Sequence, residues 1–459
     1  LPYVSGTGSG NILFTYDQNT GTTRTGTLII NGQTVTVTQA GANYIQAPGP
    51  LTILVTAGLV NPVDLAADSS GNVVFSDSGN NTVKKWTPGS LTASTVIASG
   101  LNTPQGVGVD AAGNIDVADF NNDAIKQWRA SDSNVVTLVD CTPLNPAGVS
   151  VGYNTNVYWS CAANNTVHEW FAATSNSVTL VSGGLNAPYG LAVDLAGYIY
   201  VADTYDNAVQ KWDPIGGGLS PLITASLQRP WNVAVDGSGN VYVANGNDDN
   251  IVEWVAASGN LVTPVPTGLS SPTDVSVDAN QNLYIADFGD SAVKELPYAF
   301  IDPSIKFEPS SAGSDSLSVV LPPSENLLAQ FAPTVNQPWL NIASTVAGVV
   351  SFNFTANTGT VARSAFLTLL GQNITINQAA AVYPPAIMNP TILTNGVFRF
   401  GFTNGTPGAS YTVLFSTNIT TPPASWLVIG SALPVGQNLW QFTDFQATNR
   451  TRFYRIRSP

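Results

Sequence analysis

The sequence predicts an all-β protein in which a β-propeller is joined to β-sandwich modules. A proline recurs every 42 residues through the middle of the 459-residue chain, and each repeat contains short apolar runs of strand character. Only 10% of the residues are charged, and 41 glycines and 30 prolines punctuate the apolar runs. Four short strands in about 40 residues are typical of one propeller blade.

The repeat occurs six times without an insertion. Its prolines are Pro62, Pro104, Pro146, Pro188, Pro230 and Pro272. Fifteen residues after them stand Asp77, Asp119, Cys161, Asp203, Asn245 and Asp287. Because nearly every copy has this polar residue, we interpret it as structural, a side chain that binds nearby backbone amides. The alternative is a calcium site, which needs roughly six to eight oxygens around one point.

The residues of one copy carry a family resemblance. The fourth copy reads PYGLAVD, then GYIYVAD, then NAVQKW, and this pattern resembles the repeat of the NHL family of propellers. The resemblance covers residues 51–300. The sixth copy ends near Leu296 without an outer strand, whereas LTILVT at residues 51–56 precedes the first proline. We therefore predict six blades, the last closed by residues 51–56, which hides the strand edges.

Two flanking segments share one pattern. NTGTTRTGTLIINGQTVTVTQAG lies within residues 1–50, and NTGTVARSAFLTLLGQNITINQAA lies within residues 301–381. Both resemble the C-terminal half of the BACON family, Ig-like sandwiches of bacterial extracellular proteins, and this resemblance implies carbohydrate binding. We expect a complete module at 301–381 but only the C-terminal half, with a linker, at 1–50.

The C-terminal segment has a different pattern. Residues 382–459 contain alternating runs such as NGVFRFGF, ASYTVLFS, LWQFTD and RFYRIR. They resemble the fibronectin-III-like modules at the C-termini of large secreted bacterial proteins. A β-sandwich is therefore expected here.

Charge excludes one class of partner. The net charge is −14, and residues 51–300 hold 7 Lys and Arg against 23 Asp and Glu. A strongly negative propeller repels phosphate backbones, so nucleic-acid binding is not expected. No run approaches the roughly 20 apolar residues of a membrane span. The chain starts at Leu1, so we expect a processed chain or a part of a longer protein.

The residues just after the repeat prolines differ from copy to copy, and this variation favours a role in ligand recognition. They are Val63, Gln105, Ala147, Tyr189, Trp231 and Thr273, followed by Asp64, three glycines, Asn232 and Asp274. As the starts of the innermost strands, they should surround one mouth of the central channel. Flat aromatic rings beside amides and carboxylates suit sugars. The predicted ligand-binding residues are Asp64, Gln105, Tyr189, Trp231, Asn232 and Asp274. The alternative is that large side chains here only fill a tapering channel.

Catalysis has little support in the sequence. The single histidine, His168, lies on a third strand away from the axis, where an outward-facing surface residue is expected. There is no nucleophile elbow, phosphate loop or zinc-ligand spacing. The sequence therefore predicts no enzyme, no metal and no cofactor. The rival interpretation is a propeller lyase or hydrolase.

The two cysteines interrupt the repeat in the third copy. Cys161 replaces the repeat aspartate, and Cys141 stands where other copies have Ala57, Ser99, Gly183, Ala225 or Thr267. We predict a disulfide between them that replaces the tie made elsewhere by the carboxylate. Such a bond would indicate an oxidising compartment.

These observations predict a secreted, non-catalytic bacterial protein for adhesion or structure, extracellular or at the cell surface. Apolar residues of the first module (Ile12–Phe14, Leu28–Ile30, Val35 and Val37) would need a partner sheet. Preceding domains could supply it, or another subunit could add a strand, which would build a filament. The alternative is a carbohydrate-binding accessory region of a larger secreted protein, so glycans are possible partners.

Overall fold

The computed structural model describes residues 16–30, 32–47, 49–381, 386–394, 396–403, 409–436, 439–447 and 451–457. The chain forms two compact units. The first contains Leu1–Ile305, Ser314–Asn353 and Ala365–Thr375, and the second contains Lys306–Gly313, Phe354–Ser364 and Ile376–Pro459. Strands are numbered β1–β42 along the chain.

The first unit begins with an antiparallel hairpin. Strands β1 (Arg24–Ile30) and β2 (Gln33–Gln39) pair from Arg24 opposite Gln39 to Ile30 opposite Gln33. The Asn19 amide closes its base by donating to the carbonyls of Thr22 and Ala40, each at 2.8 Å. Further along, β3 (Ile45–Gln46) pairs with β28 (Phe300–Ile301).

Six four-stranded antiparallel sheets, the blades, form the propeller. The first blade contains β5 (Pro62–Ala67), β6 (Val73–Asp77), β7 (Thr82–Trp86) and β8 (Ser94–Ile97), and the second contains β9 (Pro104–Val109), β10 (Ile115–Asp119), β11 (Ala124–Trp128) and β12 (Val135–Asp140). The third contains β13 (Val149–Val151), β14 (Val157–Cys161), β15 (Thr166–Phe171) and β16 (Asn176–Val181), and the fourth contains β17 (Pro188–Val193), β18 (Ile199–Asp203), β19 (Ala208–Trp212) and β20 (Leu219–Ile223).

The fifth blade contains β21 (Pro230–Val235), β22 (Val241–Asn245), β23 (Asn250–Val255) and β24 (Asn260–Val265). The sixth contains β25 (Pro272–Val277), β26 (Leu283–Asp287) and β27 (Ala292–Leu296), and its outer strand is β4 (Thr52–Val55). Val55 lies opposite Val293, so a strand from before the first repeat completes the last blade. The ring is thereby closed by backbone hydrogen bonds.

The propeller core lies between neighbouring blades. Every residue of the second strands is buried in all six blades. One cluster joins Tyr200 and Val209 of the fourth blade to Val233 and Val243 of the fifth. Burying each such aliphatic side chain contributes about 1.5–3 kcal/mol, so the apolar alternation of the repeat holds the ring together.

The repeat aspartate, or asparagine in the fifth blade, binds a backbone amide at the end of the second strand in five of the six blades. Its Oδ1 accepts the N–H of the residue 17 positions earlier: Val60 to Asp77, Asn102 to Asp119, Asn186 to Asp203, Gln228 to Asn245 and Ser270 to Asp287, at 2.6–2.8 Å. Lysine side chains pair with it in three blades: Lys84 with Asp77, Lys126 with Asp119 and Lys294 with Asp287. These bonds support the structural interpretation of the position.

A second repeated bond joins each blade to the next. A residue in the left-handed region follows the repeat aspartate by four positions, with φ of 49–62°. Its side-chain oxygen accepts the N–H found 22 residues later: Thr103 to Asn81, Asn145 to Asp123, Ala187 to Asn165, Arg229 to Asn207 and Ser271 to Asp249. Asn and Asp suit this position because they tolerate the left-handed conformation.

The remainder of the first unit packs on the propeller. It contains β32 (Leu340–Val346) and β33 (Val349–Phe354), and β31 (Thr334–Val335) pairs with β34 (Arg363–Leu369) through Thr334 opposite Thr368. Other strands of this module are β30 (Gly313–Ser316) and β35 (Gln372–Gln378). The Tyr44 hydroxyl donates to the Val319 carbonyl at 2.9 Å.

The second unit contains one more edge strand of that module. Strand β29 (Lys306–Glu308) runs parallel to the end of β35, with Lys306 beside Ile376. Arg363 donates to Gln378 Oε1 at 2.8 Å, as Arg24 does to Gln39 in the hairpin of the first unit. The shared sequence pattern of the two segments therefore has a shared hydrogen-bond pattern.

A β-sandwich forms the rest of the second unit. One sheet has the order β36 (Ala386–Ile392), β37 (Phe398–Thr403), β41 (Leu439–Asp444), β40 (Leu433–Gly436), and the other has β39 (Leu427–Ser431), β38 (Thr412–Ser416), β42 (Phe453–Arg457). Phe400, Phe402 and Trp440 are central in its core. The predicted fold class, all-β with a propeller and sandwiches, is confirmed. Within the described ranges, no helix is long and apolar enough to span a membrane.

Candidate ligand site at the mouth of the propeller

The residues after the repeat prolines surround one cavity of about 400 Å³. Five of them are the second residues of innermost strands and are half-buried, whereas Ala147 is buried and lies two residues before β13. The lining comprises Val63, Asp64, Gln105, Gly106, Ala147, Gly148, Tyr189, Gly190, Trp231, Asn232, Asn247, Ser271, Thr273 and Phe288. The repeat thus places one variable side chain from each blade at the same mouth.

Two aromatic side chains dominate one side of this cavity. Tyr189 and Trp231, on neighbouring blades, contact edge to face with ring centroids 4.7 Å apart and planes at 68°. The indole packs directly on Gly246, where a Cβ atom would overlap it, so glycine is required at that position. Burial raises the pKa of the Tyr189 hydroxyl, which therefore stays protonated. The pair forms a rigid, partly exposed aromatic surface.

A hydrogen bond between two polar side chains spans the channel and forms the floor of the cavity. Asn232 Nδ2 donates to Asp64 Oδ2 at 2.8 Å, and Asp64 Oδ1 accepts the Val107 N–H at 3.1 Å. Gly190 gives Asn232 the room to reach across, because a Cβ there would overlap the Asn232 amide. Asp64 and Asn232 are both buried, and their bonds join the first, second and fifth blades.

Asp274, another predicted ligand-binding residue, lies outside the mouth cavity. It lines a second cavity of about 160 Å³, below the floor, rather than the mouth. Its Oδ2 accepts the Leu65 N–H at 2.7 Å, which turns the carboxylate towards the neighbouring innermost strand. Burial raises the pKa of both Asp64 and Asp274 well above the usual value, and the charge of Asp64 raises that of Asp274 further.

The structure therefore divides the six predicted ligand-binding residues into two groups. Gln105, Tyr189 and Trp231 are half-buried on the cavity wall. Asp64 and Asn232 form the floor, and Asp274 lies beneath it. The oxygens of Asp64 are already occupied by protein donors, so the wall is the part available to a ligand.

Three further wall residues were missed by the sequence reasoning: Asn247, Ser271 and Phe288. The repeat contains the signal for two of them. Ser271 precedes a repeat proline, and Phe288 follows a repeat aspartate, and both positions vary from blade to blade. Asn247 lies in the turn Gly246–Asp248, where the chain leaves the second strand of the fifth blade.

His168 lies away from the mouth, on β15. Its Nε2 bonds with Thr166 Oγ1 at 2.7 Å and its Nδ1 with Thr179 Oγ1 at 3.1 Å, and its ring stacks on Trp159. Half-burial lowers the pKa of the imidazole, so the expected exposed surface histidine is instead packed and largely neutral.

The predicted disulfide is absent, because Cys141 and Cys161 are both free, buried thiols. They belong to one apolar cluster between the second and third blades, with Ile125 and Trp159. The Leu144 N–H, which a repeat aspartate would accept, donates to the Cys141 carbonyl at 2.7 Å. The backbone, not a covalent bond, thus replaces the missing carboxylate. Burial raises the pKa of Cys141 to about 12 and that of Cys161 to about 11.

Comparisons with known proteins cover different parts of the chain. Residues 3–40 and 331–379 match the BACON family, described as "Putative binding domain, N-terminal". These matches cover less than half of the chain, and residues 3–15 lie outside the described residues. No curated protein matches the sequence.

Several solved structures are similar over the propeller. A gluconolactonase from Xanthomonas campestris is 16% identical, with 56% of this chain and 97% of that chain covered and a TM-score of 0.46. A virginiamycin B lyase from Staphylococcus aureus is 11% identical, covering 58% and 86%, with a TM-score of 0.42. An auxiliary nutrient binding protein from Bacteroides thetaiotaomicron is 13% identical, covering 52% and 70%, with a TM-score of 0.45.

These neighbours correct the prediction that the chain is not an enzyme. A gluconolactonase and a lyase are among the proteins similar to it, so the prediction was wrong to exclude catalysis. The low identities do not establish catalysis either, because a fold alone does not imply a function.

Proposed function

We propose that the propeller mouth binds a neutral, polyhydroxylated ligand, a sugar unit of a glycan. The observation that carries this proposal is the edge-to-face pair of Tyr189 and Trp231 on the wall of a cavity of about 400 Å³. An aromatic face packs against the C–H face of a sugar ring, and nearby polar groups bond its hydroxyls.

The polar part of the wall supports a neutral ligand. Gln105, Asn247, Ser271 and Thr273 offer amide and hydroxyl groups. Among the described lining residues, Asp64 is the one carboxylate, and burial raises its pKa well above the usual value. A charged ligand would find no opposite charge on this wall.

The alternative, that the large residues only fill the channel, is less well supported by the packing. Tyr189 and Trp231 remain half-buried beside open space, and the floor below them is closed by Asn232 and Asp64. A plug would fill the cavity and would be fully buried.

The matched BACON segments support the wider role. We propose a bacterial protein, secreted or displayed at the cell surface, in which the sandwich modules and the fibronectin-III-like module present the propeller to glycans. It could serve in adhesion or as the carbohydrate-binding region of a larger secreted protein.

A glycan array tests the proposal directly. The wild-type chain is expected to retain a set of neutral glycans, and the double variant Tyr189→Ala, Trp231→Ala is expected to lose them. Tyr153→Ala is the matched control, because Tyr153 is 72% exposed and lies outside the mouth. Retention of the same glycans by the double variant would refute the site.

Assembly is a second proposed function, favoured by the edges of the hairpin. Ile29 and Val35 are 75% and 43% exposed, and β1 and β2 form a two-stranded sheet among the described residues. The corresponding strands β34 and β35 have outer neighbours, β31 and β29 respectively. Residues 12–14, predicted to share this apolar face, lie outside the described residues.

We propose that the hairpin accepts an added strand, from preceding residues or from another subunit. Addition between subunits, repeated head to tail, would build a filament. Light scattering and electron microscopy would test this. Polymers that disappear when residues 1–41 are deleted would support it, and a strictly monomeric full chain would exclude the subunit-to-subunit form.

A further inference from the structure

A segment of the first unit, residues 321–330, lies against the sixth blade. The Leu321 and Phe300 backbones exchange two hydrogen bonds, of 2.7 and 3.0 Å. Ser324 Oγ donates to Asn280 Oδ1 at 3.3 Å, and Gln330 Nε2 donates to the Leu54 carbonyl at 3.2 Å. These contacts carry Glu325 into a buried position, where it is 5% exposed.

Glu325 meets other acidic groups there. Glu295 of β27 is 1% exposed, and Asp278 lies in the turn after β25. Neither carboxyl oxygen of Glu325 makes a well-formed hydrogen bond, and Glu295 Oε2 makes none. The Asn282 side chain and the Asn326 N–H approach Glu325, but they offset only part of the effect of burial. Buried carboxylates that are neither paired nor hydrogen-bonded are strongly unfavourable as anions.

The same repeat position in another blade is fully bonded. Glu169 of the third blade is equivalent to Glu295, since both follow a repeat proline by 23 residues. Glu169 Oε1 accepts from Asn156 Nδ2 and from the Tyr158 hydroxyl, each at 2.7 Å. In the sixth blade the corresponding Tyr284 hydroxyl donates to Asp278 instead, at 3.2 Å. The Tyr284 hydroxyl is thus shared between Asp278 and Glu295, and Glu295 Oε2 has no donor of its own.

The surroundings provide no counter-charge to these acids. Beside Glu295, a cavity of about 230 Å³ is lined by Asp278 and Tyr284 of the sixth blade and by Asp68 of the first. The nearby cation, Lys85, pairs with Asp68 at 3.4 Å. In the part of the chain that the structure describes, no three acidic, histidine or cysteine side chains converge to hold a metal. A proton is the remaining way to neutralise the glutamates.

We propose that Glu325 is a proton-controlled latch: its neutral carboxylic acid holds residues 321–330 on the sixth blade, and its ionisation releases them. The device goes beyond the proposed glycan site and does not depend on it. It would hold residues 321–330 on the propeller in acidic surroundings and loosen them in neutral and alkaline ones.

The direction of the pH effect follows from burial. Burial, together with the charge of Asp278, raises the pKa of Glu325 to about 7, and burial raises the pKa of Glu295 well above its usual value. A free glutamate has a pKa of about 4.3. The docked segment therefore binds a proton more tightly than the released segment. Its docking is strongest below about pH 4.3, weakens as the pH rises to about 7, and changes little above that.

Hydrogen exchange of the full-length protein tests the latch. After correction for intrinsic exchange rates, protection of residues 321–330 is expected to fall by about tenfold between pH 5 and pH 6, where the docked acid holds a proton that the released glutamate has lost, and to level off above about pH 7. Protection of the fourth-blade strands is expected to stay unchanged over the same range. Equal protection of residues 321–330 at pH 5.5 and 8.5 would overturn the proposal.

Variants identify the group responsible. Glu325→Gln is expected to keep the segment protected at both pH values, because it keeps the shape of the side chain and removes the charge. Glu169→Gln is the matched control and should retain the wild-type pH dependence. Should Glu325→Gln fail to fold, Glu295→Gln should reduce the pH dependence. A wild-type profile in Glu325→Gln, or recovery of protection at pH 8.5 on adding Ca²⁺, would overturn the proton latch.

Discussion

The propeller contains two rings of repeat positions that differ in their variation from blade to blade. The turn ring, at the ends of the second strands, has Asp or Asn in five blades, and each of these accepts a backbone N–H at 2.6–2.8 Å. The mouth ring, after the repeat prolines, has six different residues around a cavity. The positions that stay constant form hydrogen bonds within the protein, and the positions that vary face open space.

The comparison teaches how to assign roles inside a repeat. A position that is bonded in the same way in each blade contributes to the ring itself, so a change there costs stability. A position that varies without disturbing the register is free to be selected for a ligand. The two rings should therefore respond differently to mutation, and the predictions below test that difference.

The largest expected effect is at the turn ring. Asp119→Ala removes the acceptor for the Asn102 N–H and leaves Lys126, 2.6 Å from the carboxylate, without its ion-pair partner. Loss of one partner of a buried pair costs about 3–5 kcal/mol. Chemical denaturation of this variant should show that loss, whereas Asp132→Ala, at a fully exposed position, should leave the unfolding free energy nearly unchanged. Similar small losses in both would remove the distinction between the rings.

The third blade offers a sharper test, because its turn ring has a cysteine. Restoring the aspartate by Cys161→Asp should destabilise the protein by about 1–3 kcal/mol, since the Leu144 N–H is already bonded to the Cys141 carbonyl. Cys161→Ala serves as the control for loss of the thiol. A stabilised Cys161→Asp would mean that repeat consensus, and not the local backbone, determines this site.

A smaller effect is expected at the mouth ring. Tyr189 and Trp231 are half-buried, so replacing both with Ala should lower the unfolding free energy by clearly less than the roughly 3–5 kcal/mol per residue expected for fully buried aromatic plugs. Thermal and chemical denaturation of the double variant would measure it. A loss of the full plug value would favour the channel-filling interpretation.

The smallest effect is expected at the two cysteines, whose thiols should not react in the folded protein. Their pKa values of about 12 and 11 and their burial keep them as unreactive thiols at neutral pH. Mass spectrometry after alkylation is expected to show no label on the native protein and two labels after unfolding without reductant. No label in the unfolded, unreduced protein would instead indicate a disulfide.

Much of the fold could be predicted from the sequence because the repeat fixes strand positions and side-chain direction together. The 42-residue period located the innermost strands, and counting strands identified β4 as the partner of β27. The two BACON-like hairpins were recognisable from their shared sequence pattern. In these cases the information is local or periodic, so one sequence contains it.

The remainder depends on contacts that no period specifies. Asn232 reaches Asp64 across 168 positions of sequence, and Asp274 turns to the Leu65 amide of the neighbouring blade. In the third blade, a backbone hydrogen bond from the Leu144 N–H to the Cys141 carbonyl replaces the bond to a carboxylate, so no covalent link between the cysteines is needed. The exclusion of catalysis was an error of another kind, because it rested only on the single histidine and on the absence of known motifs.

Calorimetric titration of the mouth with the glycan selected on the array tests the central claim most directly. The account predicts measurable binding by the wild-type chain and at least a tenfold weaker affinity, about 1.4 kcal/mol, for Tyr189→Ala, Trp231→Ala. Tyr153→Ala should bind as the wild type does. Equal affinity of the wild type and the double variant would contradict the assignment of the variable ring to recognition.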